Sequence, residues 1–361
     1  MRRSKGTARR LPRAVGTAVI VAVLAAPGAA VANPSPTPVR GTPLCEVRDD
    51  RLTEISGLAA TDDGYVVVND GADDEARRRI FFLDHECAVK RTVPYPSRPR
   101  DTEDLAVGVD GTVWVADIGD NDRSRQTVAV WKLPPGADRP VLYRMAYPDG
   151  PHDAEAMLVT GDGRPVIVTK YSANLYAPSG PLRPGTTVPL AKVGQVRLPA
   201  STTSNPFSVL GRTAVTGAAT AADGRRTVLR TYADAYEFDV ADGDVVTALT
   251  SGTPRITPLP DEPQGESITY SRDGRSLLTV SETAGQPPGT RADLLRYSLT
   301  VADPSTAPVA TPAPTVRAAD DDGAEHTDDV ATSVLAAGAL GLVLVVVAGV
   351  AVARSRRGGS R

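Results

Sequence analysis

Most common enzyme signatures are missing from this sequence. It has no Gly-x-Ser-x-Gly elbow, no His-Glu-x-x-His pair and no glycine-rich phosphate loop, which removes the usual serine-hydrolase, zinc-protease and nucleotide-binding readings. Only two cysteines occur, Cys45 and Cys87, too few for a zinc or haem spacing; in an exported segment the expected state of such a pair is a disulfide. Histidine is limited to His85, His152 and His326. Aromatics make up 4% of the chain, and both tryptophans, Trp114 and Trp131, fall on strand patterns, where a core role is expected. No wall-sorting motif of the Leu-Pro-x-Thr-Gly type is present.

What the chain does contain is a short repeated unit, clearest in Asp101-Thr-Glu-Asp-Leu-Ala-Val-Gly-Val-Asp-Gly-Thr-Val-Trp-Val-Ala-Asp117. It reads as strand, turn, strand. The turn pair Asp110-Gly111 recurs at Asp63-Gly64, Asp162-Gly163, Asp223-Gly224 and Asp273-Gly274, each time between apolar runs. Each unit adds further β runs, as at Ile80–Asp84 and Cys87–Tyr95 in the first and near Val245–Leu249 in the fourth, and the units lie about fifty residues apart, the size of a propeller blade. The expected fold is therefore all-β: a β-propeller of five blades, with six as the alternative because the stretch from Tyr176 to Val215 is long enough to hold another, and a β-sandwich as the third choice. The fifth unit lacks a fourth strand. Pro43–Val47 is a β-compatible run that would supply it and close the ring, avoiding an open sheet edge.

Both ends carry hydrophobic segments. Residues 1–32 combine six basic residues, an apolar run from Ala14 to Ala26 and Ala30-Val31-Ala32, the pattern of a secretory signal peptide, with an uncleaved anchor as the rival reading. A Pro-rich spacer (33–42) precedes the head (43–300), and an acidic Pro/Ala/Asp-rich stalk (301–329) follows it. Residues 330–353 are uncharged and long enough for a transmembrane helix, and 354–361 form a basic tail expected on the cytoplasmic side. This predicts a single-pass cell-membrane protein, attached through one C-terminal helix, with its head extracellular. Without its two ends the chain has 43 acidic against 30 basic residues, a balance that repels phosphate backbones and leaves nucleic acid out as a partner.

The position eight residues before each turn glycine holds Ser56, Glu103, Glu155, Thr216 and Glu266. In an antiparallel hairpin the start of strand one faces the end of strand two, so one channel face should gather Glu103 with Asp117, Asp120 and Asn121, Glu155 with Lys170, Thr216 with Arg230, and Glu266 with Glu282, beside Asn69 and Asp70. Carboxylates and an amide oxygen from several segments are the ligands Ca²⁺ takes; the expected metal set is Glu103, Asp117, Asp120, Asn121, Glu155 and Glu266. Asp70, Asp117, Lys170, Arg230 and Glu282 are the expected ligand-binding residues. Glu103, Glu155, Glu266 and His152 are the candidates for acid–base work. The plainer reading is that Asp and Asn bond their own turns and that His152 is a solvated loop residue.

The Asp-Gly units, with Glu103-Asp-Leu-Ala, Glu155-Ala-Met-Leu and Gln264-Gly-Glu-Ser-Ile-Thr, resemble secreted bacterial β-propellers of the WD40-like and esterase-like phytase types over about Pro43 to Leu299. The Gly-His and Trp-Asp pairs of WD40 units are absent. The phytase resemblance implies carboxylates holding Ca²⁺ and basic residues for phosphate, for which Glu103, Glu155, Glu266, Lys170 and Arg230 would answer. Two functions are expected from this: a propeller binding an extracellular ligand or protein at its carboxylate-rich face, or a Ca²⁺-dependent hydrolase of a phosphoester or lactone using the same face.

Overall fold

The computed structural model describes residues 40–71 and 74–299. The expected signal segment, stalk, membrane helix and basic tail lie outside them, as does most of the spacer. After β1 (Thr42–Val47), the described residues form antiparallel meanders of neighbouring strands. The first holds β2 (Ile55–Thr61), β3 (Gly64–Asn69), β4 (Arg79–Leu83) and β5 (Val89–Pro94). The second holds β6 (Thr102–Val107), β7 (Val113–Asp117), β8 (Val128–Leu133) and β9 (Val141–Ala146). The third holds β10 (Ala154–Val159), β11 (Pro165–Thr169), β12 (Asn174–Pro178) and β13 (Thr187–Gln195), and a short parallel pairing of β13 with β9 joins it to the second. The fourth comprises β14 (Val215–Thr220), β15 (Arg226–Thr231), β16 (Asp234–Asp239) and β17 (Arg255–Pro258). The last comprises β18 (Gln264–Tyr270), β19 (Ser276–Glu282) and β20 (Ala292–Ser298), completed by β1 against β20.

Alternation along the strands explains how the meanders stack. Successive side chains point to opposite faces, and here both faces are buried. In β3, Val66 and Val68 pack with Leu105, Val115 and Trp131 of the second meander, whereas Val67 packs on the other side with Leu278, Val280 and Leu294 of the last. Three further apolar clusters fill the remaining junctions. The first strands of the meanders touch in a cycle, β2 on β6, β6 on β10, β10 on β14, β14 on β18 and β18 on β2. The arrangement is propeller-like and closes on itself. The Cys45–Cys87 disulfide, with Cα atoms 5.8 Å apart, ties the closing strand β1 to the turn ahead of β5.

Two expectations are corrected, and between them the long Tyr176–Val215 stretch is placed. Residues Val245–Leu249, expected as a strand, lie in helix α2 (Val245–Ser251): Asp244 accepts from Thr247 N at 3.0 Å as an N-cap, and Val245, Ala248 and Leu249 bury one face. The long stretch between Tyr176 and Val215 contributes β13, a loop and the four-residue helix α1 (Ser208–Gly211), and no further sheet among the described residues. Finally, membrane attachment through a C-terminal helix, and with it the single-pass placement, is not supported: among the described residues no helix is long and apolar enough to cross a membrane, α1 and α2 being far short of the roughly 20 residues needed. The expected span, 330–353, lies outside the described residues.

Candidate functional site

The same irregularity occurs in every first strand. Pairing between strands one and two slips between Ile55 and Gly57, Thr102 and Asp104, Ala154 and Ala156, Val215 and Gly217, and Gly265 and Ser267. The residue left over at each β-bulge is Ser56, Glu103, Glu155, Thr216 or Glu266, the five positions that share one register from the turn glycine. A bulge re-aims its extra side chain away from the pleat. At Gly57 the neighbouring first strands approach too closely for a side chain: a Cβ there would come within 2.8 Å of Leu105 N on β6.

At this end of the channel carboxylates from different meanders converge. Carboxylate oxygens of Asp70, Asp101 and Glu103 lie within 4.8 Å of one another. Burial, and then the charges of Asp70, Glu155, Asp101 and Glu266, hold the Glu103 carboxyl well above the usual range. Burial and Glu266 likewise raise Glu155 against the pull of Lys170, which bonds to its Oε1. The Lys170 ammonium is itself raised, because Glu155 outweighs the opposing effect of burial. Burial, Asp101 and Glu266 push the Asp70 carboxyl up to about 8; burial and Glu266 push Glu282 up to about 11. Gln264 Nε2 donates to Glu282 Oε2 at 2.6 Å and to Glu266 Oε1 at 3.3 Å, and the Tyr232 hydroxyl donates to Glu266 Oε1 at 2.9 Å. Two buried oxygens, Glu155 Oε2 and Glu282 Oε1, have no hydrogen-bond partner.

Other expected residues are used elsewhere. Asp117 accepts from Arg125 Nη2 (2.9 Å), from Trp131 Nε1 (3.3 Å) and from the backbone of Arg100 and Asp101, so it locks a loop. Asp120 accepts from the backbone of Ser124 (2.9 Å) and Arg125 (2.8 Å) in a turn, and Asn121 is exposed. Arg230 does not reach the carboxylate cluster; fully buried, it pairs with Glu262 Oε2 at 3.0 Å and bonds Ser267 O at 2.8 Å. His152 turns to Asp149 (2.9 Å) and the Tyr176 hydroxyl (3.0 Å) instead of the glutamates.

The reason for the Arg230 error is hairpin length. The residue just past the strand-two partner of each pre-bulge position is Asp70, Ile118, Lys170, Tyr232 or Glu282. Counting from the turn cannot find this position, because the two-residue loop closing β2–β3 becomes longer in the later hairpins. Tyr232 was missed for that reason. Asp101 and Gln264 were also missed, although a polar residue two positions ahead of the glutamate was a readable signal. Asp104 is a third omission: its Oδ2 accepts from Met157 N (2.9 Å) and Ala218 N (3.1 Å), fastening β6 to β10 and β14.

At the opposite, turn end of the first strands lies a cavity of about 510 Å³, lined by groups such as Leu58, Ala106, Val159, Ala219 and Tyr270. Its lining is largely alanine, glycine, valine and threonine, and none of the clustered carboxylates borders it. The polar chemistry therefore belongs to the bulge end.

Together these features define a propeller-like all-β chain with an acid-lined channel mouth. No protein-family profile matches the sequence, and no curated protein matches it. Among solved structures it is similar to XC5397 from Xanthomonas campestris, described as a gluconolactonase (15% identity, 68% of this chain and 72% of that chain, TM-score 0.40). It is also similar to virginiamycin B lyase from Staphylococcus aureus (11%, 71% and 73%, TM-score 0.33) and to the RRP9 WD40 repeats (12%, 68% and 67%, TM-score 0.35). Likenesses this distant carry no argument about activity.

Proposed function

We propose that this chain is a five-bladed propeller that binds a cation at the bulge end of its channel, and that Ca²⁺ is the metal its donors fit. The convergence of buried carboxylates from different meanders carries the reading. Like charges brought together in low dielectric need protons or a cation, and Glu155 Oε2 is a buried acceptor with nothing to accept from. Ca²⁺ takes six to eight oxygens at about 2.3–2.6 Å, so oxygens on opposite sides of the ion stand roughly 5 Å apart; the 4.8 Å span of Asp70, Asp101 and Glu103 suits that. Glu155 and Glu266 would complete the charge balance, with Lys170 offsetting part of it.

The mouth then serves as a ligand-binding site. A Ca²⁺-dependent hydrolase of phosphoesters or lactones is the second reading, favoured by two proton donors among the acids, the Lys170 ammonium and the Tyr232 hydroxyl, which offer partners to an oxyanion. Calorimetric titration of the metal-free protein with CaCl₂ tests the first reading: saturable binding is expected, weakened at least tenfold by Glu103→Gln. No heat of binding, with or without the substitution, would remove it. Phosphoesterase and lactonase assays with Ca²⁺ and with EDTA separate the two readings.

A further inference from the structure

Beside the acids the mouth carries an unusual apolar feature. The loop between β13 and β14 is tied down at both ends: Thr203 Oγ1 donates to Asp234 Oδ1 at 2.7 Å, Ser204 bonds Asp261, and Arg212 Nε donates to Thr203 O at 3.1 Å. Its tip nevertheless presents Phe207, Val209 and Leu210 with 39%, 67% and 67% of their surface exposed. Ser208, between them, adopts φ 58°, a left-handed conformation costly for a residue with a Cβ. Asn205 holds it there, accepting from Phe207 N at 2.9 Å and donating to Ser208 O at 3.0 Å.

This tip connects directly to the carboxylates. The Phe207 ring lies 4.2 Å from that of Tyr232, and the Tyr232 hydroxyl donates to Glu266 Oε1. Glu266 and Glu282 share Gln264 Nε2, which leaves Glu282 Oε1 buried and without a donor. A partly exposed aromatic ring, a buried aromatic ring and, through Glu266 and Gln264, a carboxylate oxygen without a donor are thus linked in one chain of contacts.

We propose that this half of the mouth is a subsite for a small primary ammonium bearing an apolar substituent. The ammonium donates to Glu282 Oε1 and is flanked by Glu266 and the Tyr232 ring, which favour a cation electrostatically and through the π face. The substituent lies against Phe207 and the neighbouring Val209 and Leu210. The subsite is separate from the metal donors Asp70, Asp101 and Glu103, and it rests on the cation-binding reading of the mouth.

Calorimetry on the full chain with three probes, phenethylammonium, ethylammonium and 2-phenylethanol, tests it, with CaCl₂ titrated in parallel. Phenethylammonium is expected to bind about tenfold more tightly than ethylammonium, the gain of partly burying one ring, and 2-phenylethanol not to bind measurably. Phe207→Ala should erase the tenfold advantage and leave Ca²⁺ affinity unchanged; Glu282→Gln should weaken both ammonium probes. If Ca²⁺ binds but phenethylammonium has no advantage, or keeps it in Phe207→Ala, the subsite is wrong and the cation reading stands. If neither Ca²⁺ nor any ammonium binds, both fail. Sedimentation of wild type and Phe207→Ala adds a control: a dimer that dissociates in the variant would make the tip a self-association surface and overturn the proposal.

Discussion

Raising the pH of the metal-free protein should destabilise it, and the acid-lined mouth fixes the sign. The Asp70 carboxyl is pushed from 3.8 to about 8, burial being the largest cause. A group whose folded-state pKa lies above its unfolded value adds stability that is complete below the unfolded pKa and is lost as pH rises through the folded one. The loss attached to Asp70 therefore runs from about pH 4 to about pH 8, and Glu282, pushed up to about 11, extends it into alkali. Each tenfold change in proton affinity is worth about 1.4 kcal/mol, so the Asp70 contribution has an upper bound of about 6 kcal/mol. Asp101 is its close acidic neighbour, their carboxylate oxygens lying within 4.8 Å, and sharing the proton between the pair brings the expected loss to roughly half that. For a head of this size such a loss lowers Tm by about 5–10 °C. Thermal melts in EDTA at pH 5, 6.5, 8 and 9 measure it. Saturating Ca²⁺ at pH 8 should restore about 2.7 kcal/mol at a hundredfold excess over Kd, and Asp70→Asn should flatten the metal-free curve. A metal-free Tm that is constant or rises between pH 5 and 8, with Asp70→Asn indistinguishable from wild type, would refute the reasoning.

Other substitutions probe separate parts of the structure. Gly119→Ala places a Cβ 2.6 Å from Asp101 Oδ2 and against Glu103 Oε1; since both are side-chain ends, Tm should change little while calorimetry shows Ca²⁺ affinity falling at least tenfold. Lys170→Met strands Glu155 without its cation and should cost about 3–5 kcal/mol in urea denaturation, whereas the double variant with Glu155→Gln should recover most of that. Replacing Cys45 and Cys87 together by Ala opens a loop spanning 42 residues and should cost about 4 kcal/mol in the chain-entropy estimate, read as a lower urea midpoint. Arg125→Ala removes bonds to Gly119 O (2.7 Å) and Asp117 Oδ1 (2.9 Å); a stability loss of about 3–5 kcal/mol is expected, with weaker Ca²⁺ binding because the loop beside Glu103 loosens.

Much of the architecture was legible in the chain because its cause is local. Asp-Gly turns adopt their conformation with little help, the turn glycines having φ between 66° and 138°, and the apolar alternation on either side requires two-sided burial. The register of Ser56, Glu103, Glu155, Thr216 and Glu266 was likewise readable, since the bulge keeps a constant distance from the turn along one strand. Val245–Leu249 was misread because a β-branched run says little until its cap is recognised: Asp244 turns it into a helix.

What the sequence by itself determined is the repeated hairpin, the glutamate at a constant place within it, and a run, Pro43–Val47, able to pair with the last strand. Only the tertiary structure decided which side chains meet that glutamate. Hairpin loops of different length shift strand two relative to strand one, so Tyr232 reaches the mouth and Arg230 is buried against Glu262. Asp117 was claimed by Arg125, a partner brought to it by a loop. Contacts across the ring depend on distances between meanders, which no single stretch of sequence encodes; the convergence of Asp70, Glu103, Glu155, Glu266 and Glu282 exists only once the last strand has closed on the first.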